Sequence, residues 1–431
     1  MNVPARAQTA HYISAPSRYS NKQETLSTAT TAQSFHARKN VIPIRHGVSL
    51  KHLFWVKDES SLFLPDINVS TGIDFQISSM KRRFDWTYIA PVIAWAFYLL
   101  APNGSSLLVN VLATAVLIVG VMSAVHHAEV VAHKVGEPYG TIILAVSVTL
   151  LEVSIIVSLM LTAGVGADTY ARDTIFAAVM LILNGILGIS MLAGSFKFKE
   201  QVFETKSVTI ALVSLVSILV LTLVLPNYTT SVSGPAYSSP QLVAVAVCCI
   251  IIYGSFIFTQ TVRHRHYFLT EETGEEKNIS RNEALVSLGL LLACLGVVVL
   301  LAKKLSPVIE SGVAQAGLPT ALVGVAIAAV ILLPEGISAI RAAKRNQYQT
   351  SINLALGSAL ASIGLSIPTV AVTCILMDLP LVLGLDKKSM ILLGLSVFTV
   401  MLSLNKGRTN GLYAMVLIVN LMMYLFTIIF E

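Results

Sequence analysis

The sequence predicts an all-α polytopic membrane protein with about eleven transmembrane helices: one extra helix followed by two inverted five-helix repeats. The first supporting observation is composition, because 55% of the 431 residues are hydrophobic and only 12% are charged. That charged share is about half of what a soluble domain carries. The second is a series of apolar runs close to the roughly 20 residues that a helix needs to cross a bilayer. The third is an uneven distribution of Lys and Arg between the connecting loops.

Residues 1–79 differ from the rest of the chain and are interpreted as a disordered or non-native N-terminal extension. This segment is rich in Ser and Thr, has few acidic residues and shows no sustained helical period, which is typical of disorder. It contains no apolar stretch like that of a secretory signal. An alternative is that translation begins at Met80.

Eleven apolar spans follow the extension, and a polar segment divides them. They cover roughly 86–101, 105–126, 140–163, 174–195, 207–225, 241–261, 284–302, 318–340, 350–376, 389–404 and 410–429. We assign 80–104 to the extra transmembrane helix, 105–262 to the first repeat half, 263–283 to a polar acidic cytoplasmic loop and 284–431 to the second repeat half.

The loop charges predict which side of the membrane each loop faces. With Lys81, Arg82 and Arg83 in the cytoplasm, the predicted inside loops hold sixteen Lys and Arg and the predicted outside loops hold five. Cytoplasmic loops carry an excess of positive residues, so we expect a cytoplasmic N-terminus and a C-terminus outside. Because each half contains five spans, the second half enters the membrane in the opposite sense, as in an inverted-topology repeat.

Two glutamates lie alone in long apolar runs, one in each half. Glu152 is the only charged residue in 138–167, and Glu335 is the only one in 311–340. A carboxylate in the bilayer is costly and is by default functional. We expect the two to meet near the midplane at the repeat interface. Their hard oxygen atoms suit Ca²⁺, Na⁺ or protons and not a soft metal.

Polar residues near the two glutamates are candidates for additional ion ligands. They are Thr149, Asn184, Asn353, Ser358 and Ser362. Thr149 lies on the same helix face as Glu152, and Asn184 lies in the middle of a span. Hydrogen bonding between helices is the alternative role for each of them.

Pro334 and Gly336 flank Glu335 and predict a broken helix at this point. Proline removes a backbone donor, and glycine adds local flexibility. Carbonyl groups freed by such a break can serve as further ligands where irregular backbone lines a cavity.

A second set of ionisable residues lies toward the ends of the spans. His126, Glu129 and His133 occupy one helical face, and Glu310 lies in the second half. We interpret the first three as a candidate cytoplasmic vestibule or proton path and Glu310 as a candidate outer vestibule. A solvated helix end and a zinc site are the alternatives for the histidine-containing group.

Two longer stretches contain these glutamates, AEVVAHKVGEPYGTIILAVSVTLLEVSI and PEGISAIRAAKRNQYQTSINLALGSALASIGLSIP. They resemble the Ca²⁺/cation antiporter superfamily, specifically its cation/proton exchanger branch. The resemblance places Glu129 on the vestibule-side glutamate of that branch and Glu152 and Glu335 on its two transport glutamates. GEPYG, LLPEG and the loop at 172–174 are similar to the bacterial Cha-type members, which exchange Ca²⁺, Na⁺ or K⁺ for protons.

The chain departs from the family pattern directly before each glutamate. The branch usually has a Gly-Asn pair four and three residues ahead, where this chain has Val148-Thr149 and Ile331-Leu332. The resemblance therefore implies exchange of a cation for protons and leaves Ca²⁺, Na⁺ and K⁺ open as the cation.

These observations predict a secondary active antiporter and not an enzyme. It would extrude Ca²⁺, Na⁺ or K⁺ from the cytoplasm in exchange for protons, by alternating access. The resemblance implies a multi-pass protein of the cell (inner) membrane. Its partners would be the lipid bilayer, inorganic cations and protons, with no nucleic acid and no resident cofactor, and its oligomeric state stays open. The alternatives are a cation channel and a membrane-embedded metalloenzyme, although the sequence contains no H-E-x-x-H.

Overall fold

The computed structural model describes residues 86–100, 106–136, 139–162, 167–268, 279–319 and 321–430. The predictions for residues 1–79 and for residues 269–278 of the predicted loop at 263–283 lie outside these ranges. Inside them the secondary structure is helical, except for one isolated bridge between Val202 and Arg408.

Thirteen α-helices form the described part of the chain. They are α1 Trp86–Leu100, α2 Leu107–Val135, α3 Tyr139–Thr162, α4 Tyr170–Met180, α5 Leu187–Phe198, α6 Thr205–Leu219, α7 Ser239–Phe258, α8 Arg281–Gln315, α9 Ala321–Ile331, α10 Leu333–Lys344, α11 Tyr348–Met377, α12 Lys387–Leu404 and α13 Gly411–Ile429. A π-helical turn, Leu181–Ile186, joins α4 and α5 into one continuous span.

The number of membrane spans agrees with the prediction. Nine helical segments within the described ranges are long and apolar enough to cross a membrane. The bent pair α9 and α10 makes a tenth span, and the shorter apolar helix α1 accounts for the eleventh. The predicted all-α polytopic fold of about eleven spans is therefore confirmed.

Two helices are longer than the apolar pattern predicted. The second span was expected to end at residue 126, but α2 continues to Val135 and is terminated by Gly136 at φ 76°, a backbone conformation that favours glycine. The seventh was expected over 284–302, whereas α8 covers Arg281–Gln315. Hydrophobicity reports only the segment in contact with lipid, while helical hydrogen bonding continues through polar residues beyond it. His126, Glu129 and His133 therefore lie on the last turns of α2.

The outward faces of the helices are apolar. Large aliphatic side chains such as Ile251, Leu292 and Met422 are more than half exposed. Contiguous exposed apolar surface of this kind marks a protein that is covered by lipid or by a partner, and here it follows the spans. The most buried span is the one formed by α4, the π-turn and α5, so this segment lies at the centre of the bundle.

Helices of the two repeat halves pack in a crossed arrangement. The second span of the first half, α3, packs against α11, the third span of the second half. In the same way α4 packs against α9, and α5 packs against α10. The first spans of the two halves, α2 and α8, also pack together. Each glutamate-bearing span therefore lies against the other half.

A buried glutamine joins the two halves at the ends of the helices. Gln201, which is 2% exposed, follows α5 and donates from Nε2 to the Ala343 carbonyl at 2.9 Å and to Asn346 Oδ1 at 3.1 Å. Its backbone N–H donates to Thr409 Oγ1 at 2.8 Å. A Cβ added at Gly194 would overlap Gln201 Oε1, so glycine is needed there for the side chain to reach across.

Gln201→Leu and Gly194→Ala are both expected to destabilise the protein, because each breaks the hydrogen bonds of Gln201 to the second half. Loss of buried hydrogen-bonding partners costs about 1–3 kcal/mol. Thermal unfolding in detergent should show a lower melting temperature for both variants. The control is the neighbouring Glu200→Gln, whose exposed ion pair with Arg408 is 3.6 Å long and contributes little. Unchanged melting of both Gln201→Leu and Gly194→Ala would contradict the structural role of this contact.

Candidate ion-binding site

Glu152 of α3 is buried, and both of its carboxylate oxygens contact hydroxyl groups of the other repeat half. Its side chain is 2% exposed. Ser362 Oγ lies 2.6 Å from Oε1 and 2.7 Å from Oε2, and Ser366 Oγ lies 2.7 Å from Oε2. Ser362 and Ser366 are four residues apart on α11, and hence on one face of that helix. Two hydroxyl donors therefore offset part of the cost of burying this carboxylate.

Glu335 lies in the first turn of α10, immediately after a break in its span. The axes of α9 and α10 differ by 55°, and Leu332 separates the two helices. Pro334 has no N–H to donate to the carbonyl group of Val330, four residues earlier. Gly336 retains a helical hydrogen bond to the Leu332 carbonyl at 2.9 Å, so the irregular stretch is confined to the residues just before Glu335.

The Glu335 carboxylate differs from that of Glu152 in its hydrogen bonding. Glu335 is half-buried as a residue, yet its Oε2 atom is buried and has no hydrogen-bond partner among the described residues. The negative charges of Glu129 and Glu152 repel the charged form of this carboxylate. A buried unpartnered oxygen is unusual and calls for an explanation such as an ion.

Asn184 lies in the π-turn at the centre of the bundle and is 0% exposed. Its Nδ2 donates to Ser396 Oγ at 2.9 Å and to the Met180 carbonyl at 3.3 Å. Its Oδ1 atom has no partner in the described ranges. The π-turn packs against α10, and a Cβ added at Gly336 would lie 3.6 Å from Ile186. Two segments in contact thus each carry one buried, unpartnered side-chain oxygen.

The three other predicted ligands differ from one another in burial and in hydrogen bonding. Thr149 is buried, and its Oγ1 has no partner in the part of the chain that is described. Asn353 Nδ2 donates to the Phe268 carbonyl at 2.8 Å, about 13 Å along α11 from Ser362 by helical rise. Ser358 is half-buried one turn before Ser362. The structure therefore brings Ser362 to Glu152 and directs Asn353 elsewhere.

Two residues of the site were not predicted from the sequence. Ser366 contacts Glu152 directly, and its spacing of four residues from Ser362 is a signal that could have identified it. Ser396 of α12 binds Asn184. Ser396 is more than 200 residues away in sequence and lies in an ordinary apolar span, so no local pattern indicates it.

The histidine-containing group lies at the C-terminal end of α2. Glu129 is half-buried and interacts electrostatically with His126 and His133. His133 itself is exposed. Among the described residues, no three His, Cys, Asp or Glu side chains form a group that could hold a metal ion, so the geometry gives no support to the zinc alternative.

Glu310 lies near the C-terminal end of α8. Ser306 Oγ donates to its Oε1 at 2.9 Å, and Glu310 is also hydrogen-bonded to the Tyr170 side chain at the start of α4. A helix of the first half therefore contacts this carboxylate. Its role as an outer vestibule stays a prediction.

Comparison with known proteins identifies relatives along most of the chain. The family model described as "Sodium/calcium exchanger protein" matches residues 105–262 and 286–430. The putative ionic transporter y4hA of Sinorhizobium fredii is 42% identical over 336 residues, covering 76% of this chain and 91% of that protein. The sodium-potassium/proton antiporter ChaA of Escherichia coli is 31% identical over 342 residues, covering 77% of this chain and 92% of that protein.

A solved structure shows the same fold. The crystal structure of the H⁺/Ca²⁺ exchanger CAX superposes with a TM-score of 0.59 at 16% identity, covering 79% of this chain and 89% of that one. The resemblance to the cation/proton exchanger branch, near its Cha-type members, is confirmed by these matches. The chain belongs to the sodium/calcium exchanger protein family.

Proposed function

We propose that this protein is a secondary active antiporter that moves an inorganic cation out of the cytoplasm in exchange for protons. The observation that carries the proposal is the pair of carboxylates Glu152 and Glu335. Each lies in an otherwise apolar run and on a span that packs against the opposite repeat half.

The chemistry of exchange follows from the cost of burying negative charge. An isolated carboxylate away from water must be neutralised. A proton and a metal cation can each neutralise Glu335, but they compete for the same oxygen atoms. Binding of a cation therefore requires release of protons, and departure of the cation allows protons to return. This competition couples the two fluxes without a separate proton site.

The cation would be bound by oxygen atoms of both halves. The atoms with free acceptor capacity are Glu335 Oε2, Asn184 Oδ1 and Thr149 Oγ1, all buried and without partners in the described chain. Glu152 would join them when the hydroxyls of Ser362 and Ser366 turn to other acceptors. Carboxylate, amide and hydroxyl oxygens are the ligands preferred by hard cations.

Alternating access requires that the site open to one side of the membrane at a time. The crossed packing lets the halves move against each other around the two glutamates, as in other inverted repeats. The break before Glu335 provides a hinge within its span. Glu129, with His126 and His133, would relay protons and cations on the cytoplasmic side, and Glu310 would serve the outer side.

The transported ion is cargo, and the mechanism needs neither a resident cofactor nor an enzymatic step. Sodium, potassium and calcium are the candidate cations, because ChaA is named as a sodium-potassium/proton antiporter and the family is described by sodium/calcium exchange. The excess of Lys and Arg in alternate loops supports a cell (inner) membrane orientation with the N-terminus in the cytoplasm and the C-terminus outside.

Glu152→Gln and Glu335→Gln should each abolish cation-driven proton flux in inverted membrane vesicles, because an amide neither carries the charge nor exchanges the proton. Dequenching of acridine orange after cation addition measures this flux. The matched control is Glu283→Gln, which changes an exposed carboxylate at the start of α8. Wild-type exchange in either of the first two variants, with normal protein levels, would rule out the mechanism.

Ser362→Ala and Ser366→Ala should raise the apparent KM for the cation about tenfold each, as is common when groups that support a metal ligand are removed. Both hydroxyls hold the Glu152 carboxylate in place. Thr369→Val is the control on the same helix, because the Thr369 hydroxyl is exposed and donates to the Leu365 carbonyl. An unchanged KM in the Ser362→Ala, Ser366→Ala double variant would contradict this role.

Purified protein in proteoliposomes should couple proton movement to at least one of Na⁺, K⁺ and Ca²⁺ supplied singly across a range of pH. It should also show counterflow, in which unlabelled cation inside drives uptake of labelled cation. Counterflow distinguishes an antiporter from a channel, since a channel only dissipates the gradient. Cation flux without counterflow or proton movement would favour the channel alternative.

A further inference from the structure

Ser396 contacts the centre of the candidate site from a helix that carries none of its charged residues. It lies on α12, is 0% exposed, and contacts Asn184, which is also 0% exposed. The distance from Asn184 Nδ2 to Ser396 Oγ is 2.9 Å. Burial of both partners makes this a hydrogen bond without competition from bulk water.

The hydroxyl of Ser396 acts toward Asn184 only as an acceptor. A serine hydroxyl has one proton and two lone pairs. That proton is directed to the Leu392 carbonyl at 2.8 Å, and Met180 Sδ lies 3.5 Å away as a second acceptor. In either case a lone pair of Ser396 Oγ faces the Asn184 amide. Ser396 therefore accepts a hydrogen bond from the NH₂ group of Asn184.

The remaining contacts of Asn184 favour the same orientation. Its NH₂ group also donates to the Met180 carbonyl at 3.3 Å, which would repel an oxygen in its place. A flipped amide could accept from Ser396 only if that hydroxyl gave up its hydrogen bond to the Leu392 carbonyl, and the flip would leave the NH₂ group facing the site. The buried Oδ1 is thereby kept free of partners within the described chain.

We infer that Ser396 is a positioning residue for cation binding, which fixes the Asn184 amide so that its oxygen, and not its NH₂ group, is offered to the cation beside Glu335. The inference rests on the proposed cation/proton exchange and adds a residue of α12 to it. Orientation matters here because an NH₂ group repels a cation that a carbonyl oxygen attracts. The π-turn that carries Asn184 packs against α10, the helix of Glu335.

The test is the KM of exchange measured in proteoliposomes at fixed pH with Na⁺, K⁺ and Ca²⁺ in turn. Ser396→Ala should raise the KM of the transported cation about tenfold and leave the maximal rate close to that of the wild type. Ser396→Cys keeps the approximate size of the side chain, but sulfur is a weak acceptor, so its KM should rise severalfold. This second variant keeps the test informative if Ser396→Ala does not fold.

A double-mutant cycle separates positioning from packing. Asn184→Ala should raise the KM, and adding Ser396→Ala to it should cause no further rise, because the residue to be positioned is gone. Thr399→Val, which removes a hydroxyl one turn away that accepts from Asn420 at 3.0 Å, should leave the KM unchanged. An unchanged KM in both Ser396 variants, or fully additive effects with Asn184→Ala, would overturn the inference.

The outcome is distinguishable from failure of the antiport function. If wild-type protein exchanges a cation for protons and Glu335→Gln abolishes this, while both Ser396 variants keep the wild-type KM, only the role of Ser396 is wrong. If wild-type protein shows no cation-driven proton movement with any of the three cations, the proposed function fails and the inference falls with it.

Discussion

The structure depends on one constraint, which is that a carboxylate inside a bilayer must be neutralised or hydrogen-bonded. Glu152 meets this requirement through hydroxyl groups of another helix, and Glu335 leaves it partly unmet. The donors that satisfy Glu152 lie on a span of the other repeat half. The site therefore exists only at the interface between the two halves.

The crossed packing of the halves explains why the most buried span lacks charged side chains at its centre. The span of α4, the π-turn and α5 lies against both α9 and α10, so it faces Glu335 as α11 faces Glu152. A charged residue there would add a third buried charge to the pair. The amide of Asn184 carries an oxygen at no net charge, and it lies in a π-turn, a feature frequent at functional sites.

The sequence was sufficient for the fold class because hydrophobic length and loop charge both report directly on contact with lipid and water. It was also sufficient to single out Glu152 and Glu335, since charge in an apolar run is visible without tertiary information. It was not sufficient for Ser366 and Ser396, because serine in a span is common and only packing between distant helices gives these two a partner. Asn353 illustrates the reverse case, in which a polar residue in a span bonds to the Phe268 carbonyl and not to the site.

The two carboxylates differ although the halves that carry them are built alike. On α11 the partners of Glu152 are two serines on one helix face, whose hydroxyls can rotate between donating and accepting. The corresponding span of the first half offers Asn184, whose amide is held by the Met180 carbonyl and by Ser396, and the proton of the Ser396 hydroxyl is already donated to the Leu392 carbonyl. One half thus presents an adaptable set of partners and the other a fixed oxygen. A site that must hold a cation in one step and protons in another needs both, because a fixed ligand favours the cation while adaptable hydroxyls can follow the change in charge.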